Sequence, residues 1–266
     1  MLSALWLPAG CVGDELAPSV WPPADFECVV EEISFTDGRV DVVRRVRFTA
    51  DGIVVYGTSS DPLTCTVTGA PAVVSLPVFD RLCIYELVPT CVRAFARRID
   101  RLGILELGDL AGDIETASPT SLSVRWRAMG QQKSLLVRGR VHGPIAEILR
   151  VVTAHLPPGE TFGLAGLAER PPAAVLRGVP EPRLDAAGAM AAYTAVLTGR
   201  PRDPELLLEG FALACRSGSR RAAADWLAAW TQATAGERPA AATGPVLRDR
   251  LGTLEPETLR QFLPAD

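Results

Sequence analysis

Cys215 and His142 are the residues whose types and surroundings could support nucleophilic catalysis. Cys215 stands in the phrase Ala-Cys-Arg-Ser-Gly, and His142 stands in Val-His-Gly directly after a predicted strand. A cysteine nucleophile needs a histidine that accepts its proton and a setting that favours the thiolate. If the fold brings these two side chains together, they would form the catalytic dyad of a cysteine hydrolase.

Both phrases resemble the His-Gly and Ala-Cys-Arg-Gly sequences of caspase-like cysteine peptidases, and that resemblance implies a dyad of Cys215 and His142. In that family the cysteine ends a β-strand. Here Asp203-Pro204-Glu205 predicts a helix start, which places Cys215 at a helix C-terminus, where the dipole disfavours an anion. Leu213 also replaces the glutamine or aspartate of the family. We therefore expect a packed helix cysteine, and the cysteine hydrolase is the alternative.

Three arginines recur every four residues along one face of a predicted helix: Arg93, Arg97 and Arg101. Residues four apart lie on the same side of a helix, so the three guanidinium groups form a row. Arginine forks suit carboxylates and phosphates. We expect a solvated helix face, and the alternative is a docking row for an acidic partner or a phosphate.

A predicted hairpin carries a second set of arginines. With Gly130-Gln131 as its loop, strand alternation gives the hairpin one buried and one exposed face. The buried face carries Val124, Trp126, Leu135 and Val137. The exposed face carries Arg125, Arg127, Arg138 and Arg140. These arginines could make the protein an anion-binding module, but we expect acids of a preceding loop to neutralise them: Asp109, Asp113 and Glu115.

The composition disfavours several kinds of chemistry and partner. Lys133 is the single lysine among 27 basic residues, only two histidines occur, and the formal net charge is −4. Acids balance the arginines in both halves, so neither half has the positive field of a non-specific nucleic-acid binder. The six cysteines form no C-x-x-C pair, and no H-E-x-x-H or glycine-rich nucleotide motif occurs. We expect no metal, no cofactor and no nucleic-acid partner.

No segment of the sequence predicts a membrane span, because charged residues interrupt every long apolar stretch. The first residues contain Leu-Pro-Ala-Gly-Cys, which loosely resembles the end of a bacterial lipoprotein signal. The segment lacks a basic start and a long apolar core. We expect a cytoplasmic protein, and the alternative is the cell envelope.

The elements that must position these residues begin after an irregular lead-in, residues 1–25. Three strands are predicted at 26–35, 40–48 and 53–57, separated by the turn dipeptides Asp37-Gly38 and Asp51-Gly52. Short runs at 64–67 and 72–76 extend the sheet. A helix follows over 79–102, then a strand at 104–107, the hairpin at 121–140 and a helix at 145–156. The pattern over 26–156 predicts an α+β domain, a mostly antiparallel sheet with two covering helices.

This β-β-α-β-β-α order resembles an uncharacterised bacterial domain family often found in envelope proteins. The resemblance is one of pattern over 26–156 and implies no known activity.

Residues 157–184 are rich in proline and glycine, and this composition predicts a linker. Residues 185–266 predict a small all-α helical-hairpin domain. Gly210, Ala222, Trp226 and Ala229 stand at offsets that resemble those of a tetratricopeptide repeat, and Tyr193 lies 33 residues before Trp226. Trp226 and Trp230 are four residues apart, which is typical of a buried seam, or of a docking site if the pair is exposed.

Together these patterns predict a non-enzymatic protein–protein interaction or adaptor protein of a bacterial system. The expected partner is another protein, which the sequence does not identify. Its candidate contact residues are the arginines and tryptophans of these faces: Arg93, Arg97, Arg101, Arg125, Arg127, Arg138, Arg140, Trp226 and Trp230.

Overall fold

The fold is α+β, as the sequence predicts. A computed structural model describes residues 22–36, 39–59, 61–66, 73–111, 120–137, 141, 143–157, 160, 162, 186–235 and 256–264. The strands of its larger sheet are β1 (Glu27–Thr36), β2 (Arg39–Thr49), β3 (Ile53–Ser59), β6 (Arg81–Glu86), β7 (Leu110–Ala111), β8 (Thr120–Ala128) and β9 (Gln131–Val137). They lie in the order β6-β3-β2-β1-β8-β9-β7. Neighbouring strands joined by tight turns must run antiparallel, which holds for β1-β2-β3 and for β8-β9. The short β7 pairs in parallel with β9.

Two further strands, β4 (Leu63–Thr66) and β5 (Val73–Leu76), pair only with each other in a separate antiparallel sheet. The expectation that they extend the main sheet is therefore wrong.

Two helices cover one face of the seven-stranded sheet. The first, α1 (Pro89–Arg101), is shorter than predicted, because residues 81–86 form strand β6 and Pro89 opens the helix at its first turn. The second, α2 (Gly143–Thr153), begins two residues earlier than predicted. Residues 104–106, predicted as part of a strand, form a 3₁₀ turn after Gly103, whose φ of +69° suits glycine.

The main core lies between these helices and the sheet. Its centre is aromatic: the ring centroids of Phe26 and Trp126 are 4.9 Å apart, and those of Phe48 and Phe95 are 4.3 Å apart. Along β8 the core side chains alternate with Ser121, Ser123 and Arg125, which are also buried, on the opposite face. The sheet is thus enclosed on both faces at this strand.

The C-terminal part is helical, with α3 (Ala186–Gly199), α4 (Pro204–Arg216), α5 (Arg220–Thr234) and α6 (Pro256–Arg260). Asp203 caps α4 by accepting a hydrogen bond from the backbone N–H of Leu206 at 3.2 Å, with Pro204 next in the chain. The helix start predicted at Asp203-Pro204-Glu205 is confirmed. Among the described residues, no helix has the length and apolar character needed to span a bilayer.

The chain forms two compact units. One consists of Met1–Glu32, Arg44–Tyr56 and Cys83–Pro182, and the other of Ile33–Val43, Gly57–Leu82 and Arg183–Asp266. The C-terminal helices therefore share a unit with strand residues. Most of the predicted linker lies outside the described residues, so the boundaries 26–156, 157–184 and 185–266 stay predictions.

Candidate functional site

Cys215 has the environment of a structural cysteine. It lies in the last turn of α4, its residue is only 9% exposed, and it forms no disulfide. Burial raises the pKa of its thiol to about 12, so the thiol is protonated at neutral pH. The partner proposed for it, His142, lies outside the described residues. The thiolate that a cysteine hydrolase requires is not favoured here.

The outward side of α1 is strongly basic. The helix buries Cys91, Val92, Phe95, Ala96 and Ile99 against the core. Its other side carries four arginines, called here the arginine face: Arg93, Arg97, Arg98 and Arg101. All are exposed except Arg97, which is partly buried. The row predicted from the four-residue spacing therefore exists, and the one acid on this helix is the partly buried Asp100.

One carboxylate is already bound at the edge of this face. Glu147 of α2 accepts hydrogen bonds from Arg98 at 2.5 Å and from Arg150 at 2.8 Å, one on each of its oxygens. The two arginines, first Arg150 and then Arg98, hold the pKa of Glu147 below its usual range. The surface of α1 and α2 thus binds a carboxylate between two guanidinium groups.

The hairpin arginines differ from the prediction. Arg125 is only 6% exposed, and the side chain of Arg127 is 45% exposed. Their acid is Glu27 of β1, whose Oε2 lies 3.8 Å from Arg125 and 3.4 Å from Arg127. Of the acids expected to neutralise them, Asp109 pairs with Lys133 at 2.6 Å. Asp113, Glu115, Arg138 and Arg140 lie outside the described side chains.

The expected exposure is wrong for Arg125 because this part of the sheet is covered on both faces. Charges enclosed in this way need close partners. Glu27 also accepts from Arg47 at 2.7 Å, and Glu31 accepts from Arg45 at 2.8 Å. These ion pairs were not predicted from the sequence. Their signal is the recurrence of acids along β1 and of arginines along β2, two strands that a hairpin turn makes neighbours.

The turn of the hairpin is also shifted from its predicted position. Ala128 pairs with Gln131, so the turn residues are Met129 and Gly130, which have φ values of +53° and +72°. Asp25 stabilises the turn: its two carboxylate oxygens accept from the N–H of Met129 at 2.9 Å and of Gly130 at 2.6 Å. These hydrogen bonds, that of Gly130 first, lower the pKa of Asp25. The side chains predicted to point into the core do so, because the observed strand register differs from the predicted one by two residues. A shift of two leaves every side chain on the same face of the sheet.

The two tryptophans lie on the buried side of helix α5. Trp230 is 1% exposed, and Trp226 is partly buried against Gly210 of α4. Trp230 is therefore not part of an exposed docking pair. Trp230 lies in a buried position, as the prediction of a buried seam requires.

A polar cluster that was not predicted from the sequence connects the chain after α2 to the sheet. Tyr85 donates a hydrogen bond to the backbone carbonyl of His155, and Tyr56 donates to Glu160 Oε2 at 2.6 Å. The imidazole of His155 lies beside Phe95, with its Nδ1 2.8 Å from the carbonyl oxygen of Val151. Burial lowers the pKa of His155, so it is neutral at pH 7.

Metal chemistry has no evident centre in the described part of the chain, where no group of three His, Cys, Asp or Glu side chains could hold an ion. No protein-family model matches the chain, and no curated protein matches it.

Proposed function

We propose that the protein is a non-enzymatic interaction or adaptor protein that binds another protein through the arginine face. The observation that carries the proposal is the outward side of α1, where four arginines accompany one partly buried acid. Guanidinium groups on the outward side of a rigid helix suit the carboxylates of a complementary protein surface.

The reactive groups of the described chain support binding over catalysis. The thiol of Cys215 is buried and protonated. The hydroxyl groups of Tyr56 and Tyr85 are used in packing contacts, and Glu27 and Glu31 form buried ion pairs with arginines. Each of these groups takes part in core packing, a hydrogen bond or an ion pair, and that contact would be lost if the group took part in a reaction.

The proposal includes the predicted small helical-hairpin domain at 185–266. Two contacts support a repeat-like packing of its helices. The ring of Trp226 lies against Gly210, and Tyr193 of α3 donates a hydrogen bond to Glu209 of α4 at 2.9 Å. Glu209 takes the place of a leucine in the tetratricopeptide pattern, and the tyrosine hydroxyl compensates its burial.

For the compartment we propose the cytoplasm. Four cysteines, Cys28, Cys83, Cys91 and Cys215, are buried free thiols. Free thiols are usual where the cell keeps proteins reduced.

The test is co-purification from the organism that encodes the protein, after brief chemical cross-linking. Three tagged forms are compared: wild type, Cys215→Ser, and the triple variant Arg93→Glu, Arg97→Glu, Arg101→Glu. We expect a stoichiometric protein partner with wild type and Cys215→Ser, and a loss of about tenfold with the triple variant.

Two results would contradict the proposal. If wild type retains no stoichiometric protein, the adaptor function is wrong. If Cys215→Ser loses the partner and the triple variant keeps it, the cysteine hydrolase alternative gains support.

A further inference from the structure

We infer that Met129, at the tip of the hairpin of β8 and β9, is a site of reversible oxidation by peroxides. Hydrogen peroxide transfers one oxygen atom to the thioether sulfur, and the products are methionine sulfoxide and water. A methionine sulfoxide reductase reverses the change with electrons from two thiols, which become a disulfide while the oxygen leaves as water. Met129 lies outside the arginine face, so its oxidation does not depend on the proposed function.

Met129 is open to solvent. The residue is 59% exposed, and no other large apolar residue is exposed in the part of the chain that the structure describes. It occupies the first position of the two-residue turn between β8 and β9. A small oxidant can therefore reach its thioether without any opening of the fold.

The other sulfur atoms of the described chain are less reactive towards peroxide. Met190 is partly buried in helix α3. The described thiols are buried: Cys28, Cys83, Cys91 and Cys215. Burial raises the pKa of Cys215 to about 12 and that of Cys28 well above its usual range. Peroxide attacks a thiol as its thiolate, whereas a thioether needs no deprotonation, so exposure decides in favour of the hairpin methionine.

The turn does not need the thioether for its own structure. Met129 has a φ of +53°, and glycine, asparagine or aspartate is favoured at such positions of a hairpin turn. Asp25 holds the turn through the backbone N–H groups of Met129 and Gly130, which do not change when the sulfur is oxidised. The side chain can therefore become a sulfoxide while the hydrogen bonds of the turn remain.

Oxidation changes the chemical character of the hairpin tip. A thioether is flexible and apolar, whereas a sulfoxide is polar and its oxygen accepts hydrogen bonds. The residues that follow Met129 are also exposed, and none of them is apolar and large: Gly130, Gln131 and Gln132. The sulfoxide therefore removes the apolar side chain that this tip presents to solvent.

The experiment treats the native full-length protein with about 10 mM hydrogen peroxide at neutral pH and stops the reaction with catalase. Proteolysis and mass spectrometry then locate each added oxygen. We expect Met129 to be oxidised at least about tenfold faster than Met190, and the two rates should agree within about twofold in urea-unfolded protein. Met1 lies outside the described residues and is not compared.

Three results of this experiment would overturn the inference. Met190 could react as fast as Met129 in the native protein, or a described cysteine could be oxidised first. The difference between the two methionines could also persist in urea, which would mean that the fold does not set their reactivity.

Variants assign the reaction and test whether the fold survives it. Met129→Leu keeps an apolar side chain without sulfur and should lose the fast oxidation. Met190→Leu is the matched control and should leave the oxidation of Met129 unchanged. In this control variant, the protein oxidised at Met129 should unfold at the same urea concentration as the untreated protein. A lower midpoint would mean damage to the fold, which contradicts a reversible site.

Reversal is tested with methionine sulfoxide reductases for both sulfoxide epimers and dithiothreitol as the reductant. They should remove the added oxygen from the native protein, and a sulfoxide that persists would overturn reversibility. In the organism that encodes the protein, about 1 mM peroxide should oxidise Met129, and the sulfoxide should disappear during recovery with protein synthesis blocked. If Met129 stays reduced in these cells, the inference is wrong. A failed search for a protein partner would end the proposed function and leave these results unaffected.

Discussion

Trp226 of α5 lies directly against Gly210 of α4. A Cβ added to Gly210 would lie 2.7 Å from the Cε3 atom of the indole, closer than carbon atoms approach without a shift. Glycine at this position therefore allows the two helices to pack with the ring between them. The closeness of α4 and α5 depends on this one missing side chain.

We predict that Gly210→Ala destabilises the protein by about 1–3 kcal/mol, because the overpacking exceeds the gain of about 1 kcal/mol in helix propensity. Urea unfolding measures the change. Gly199→Ala, in a helical position with no neighbour within 4 Å, is the control and should not lower the stability. Replacing Trp226 by leucine should remove most of the cost of Gly210→Ala. If the cost persists in that background, the indole is not its cause.

Glu27→Gln should destabilise the protein by about 3–5 kcal/mol, since it removes the charge that meets Arg47, Arg125 and Arg127 at a buried position. The matched control is Glu257→Gln, which alters an exposed pair with Arg260 and should cost about 0–1 kcal/mol. Thermal or urea unfolding compares the two. Equal costs would mean that the buried ion pairs of the sheet do not matter for stability.

We predict that the protein loses stability in mild acid because His155 is buried in its neutral form. Burial places its folded-state pKa below 6.5, the value of the unfolded chain, so protonation favours the unfolded state. The stability that neutral His155 contributes is complete above about pH 6.5 and is lost as the pH falls from there towards the folded-state pKa. The total loss is about 1.4 kcal/mol for each unit by which folding lowers the pKa of His155. The measurement is the unfolding free energy of wild type and His155→Gln between about pH 5 and 7.5. A slope that is the same in both proteins would assign the loss to other groups.

Local signals in the sequence predicted those features that neighbouring residues decide. The start of α4 follows from Asp203 and Pro204, and the inward row of β8 follows from alternation. The dipeptide Asp51-Gly52 predicted a turn, and Gly52 has the positive φ of +89° that such a turn needs. Strand β6 was missed because the helical spacing of Val88, Val92 and Phe95 was extended back over residues 79–87. In the structure, strand β6 ends before Pro89, and helix α1 begins at Pro89.

The ion pairs of Glu27 could not be predicted from local patterns. Glu27 and Arg125 are far apart in the chain, and only the order of the strands makes β1 and β8 neighbours. The burial of Arg125 depends on the second face of the sheet being covered, which strand alternation alone does not indicate. The arginine face of α1 was predictable because a single helix determines it.

Reaction of Cys215 with iodoacetamide tests the account most directly, because a reactive thiol is the feature that a binding protein lacks and a cysteine hydrolase requires. Mass spectrometry of the native protein at neutral pH should find Cys215 unlabelled over hours, with full labelling after unfolding in urea, as its burial and raised pKa require. Cys215→Ser identifies the labelled site. Rapid labelling of Cys215 in the native protein would contradict the account and return the molecule to the class of cysteine hydrolases.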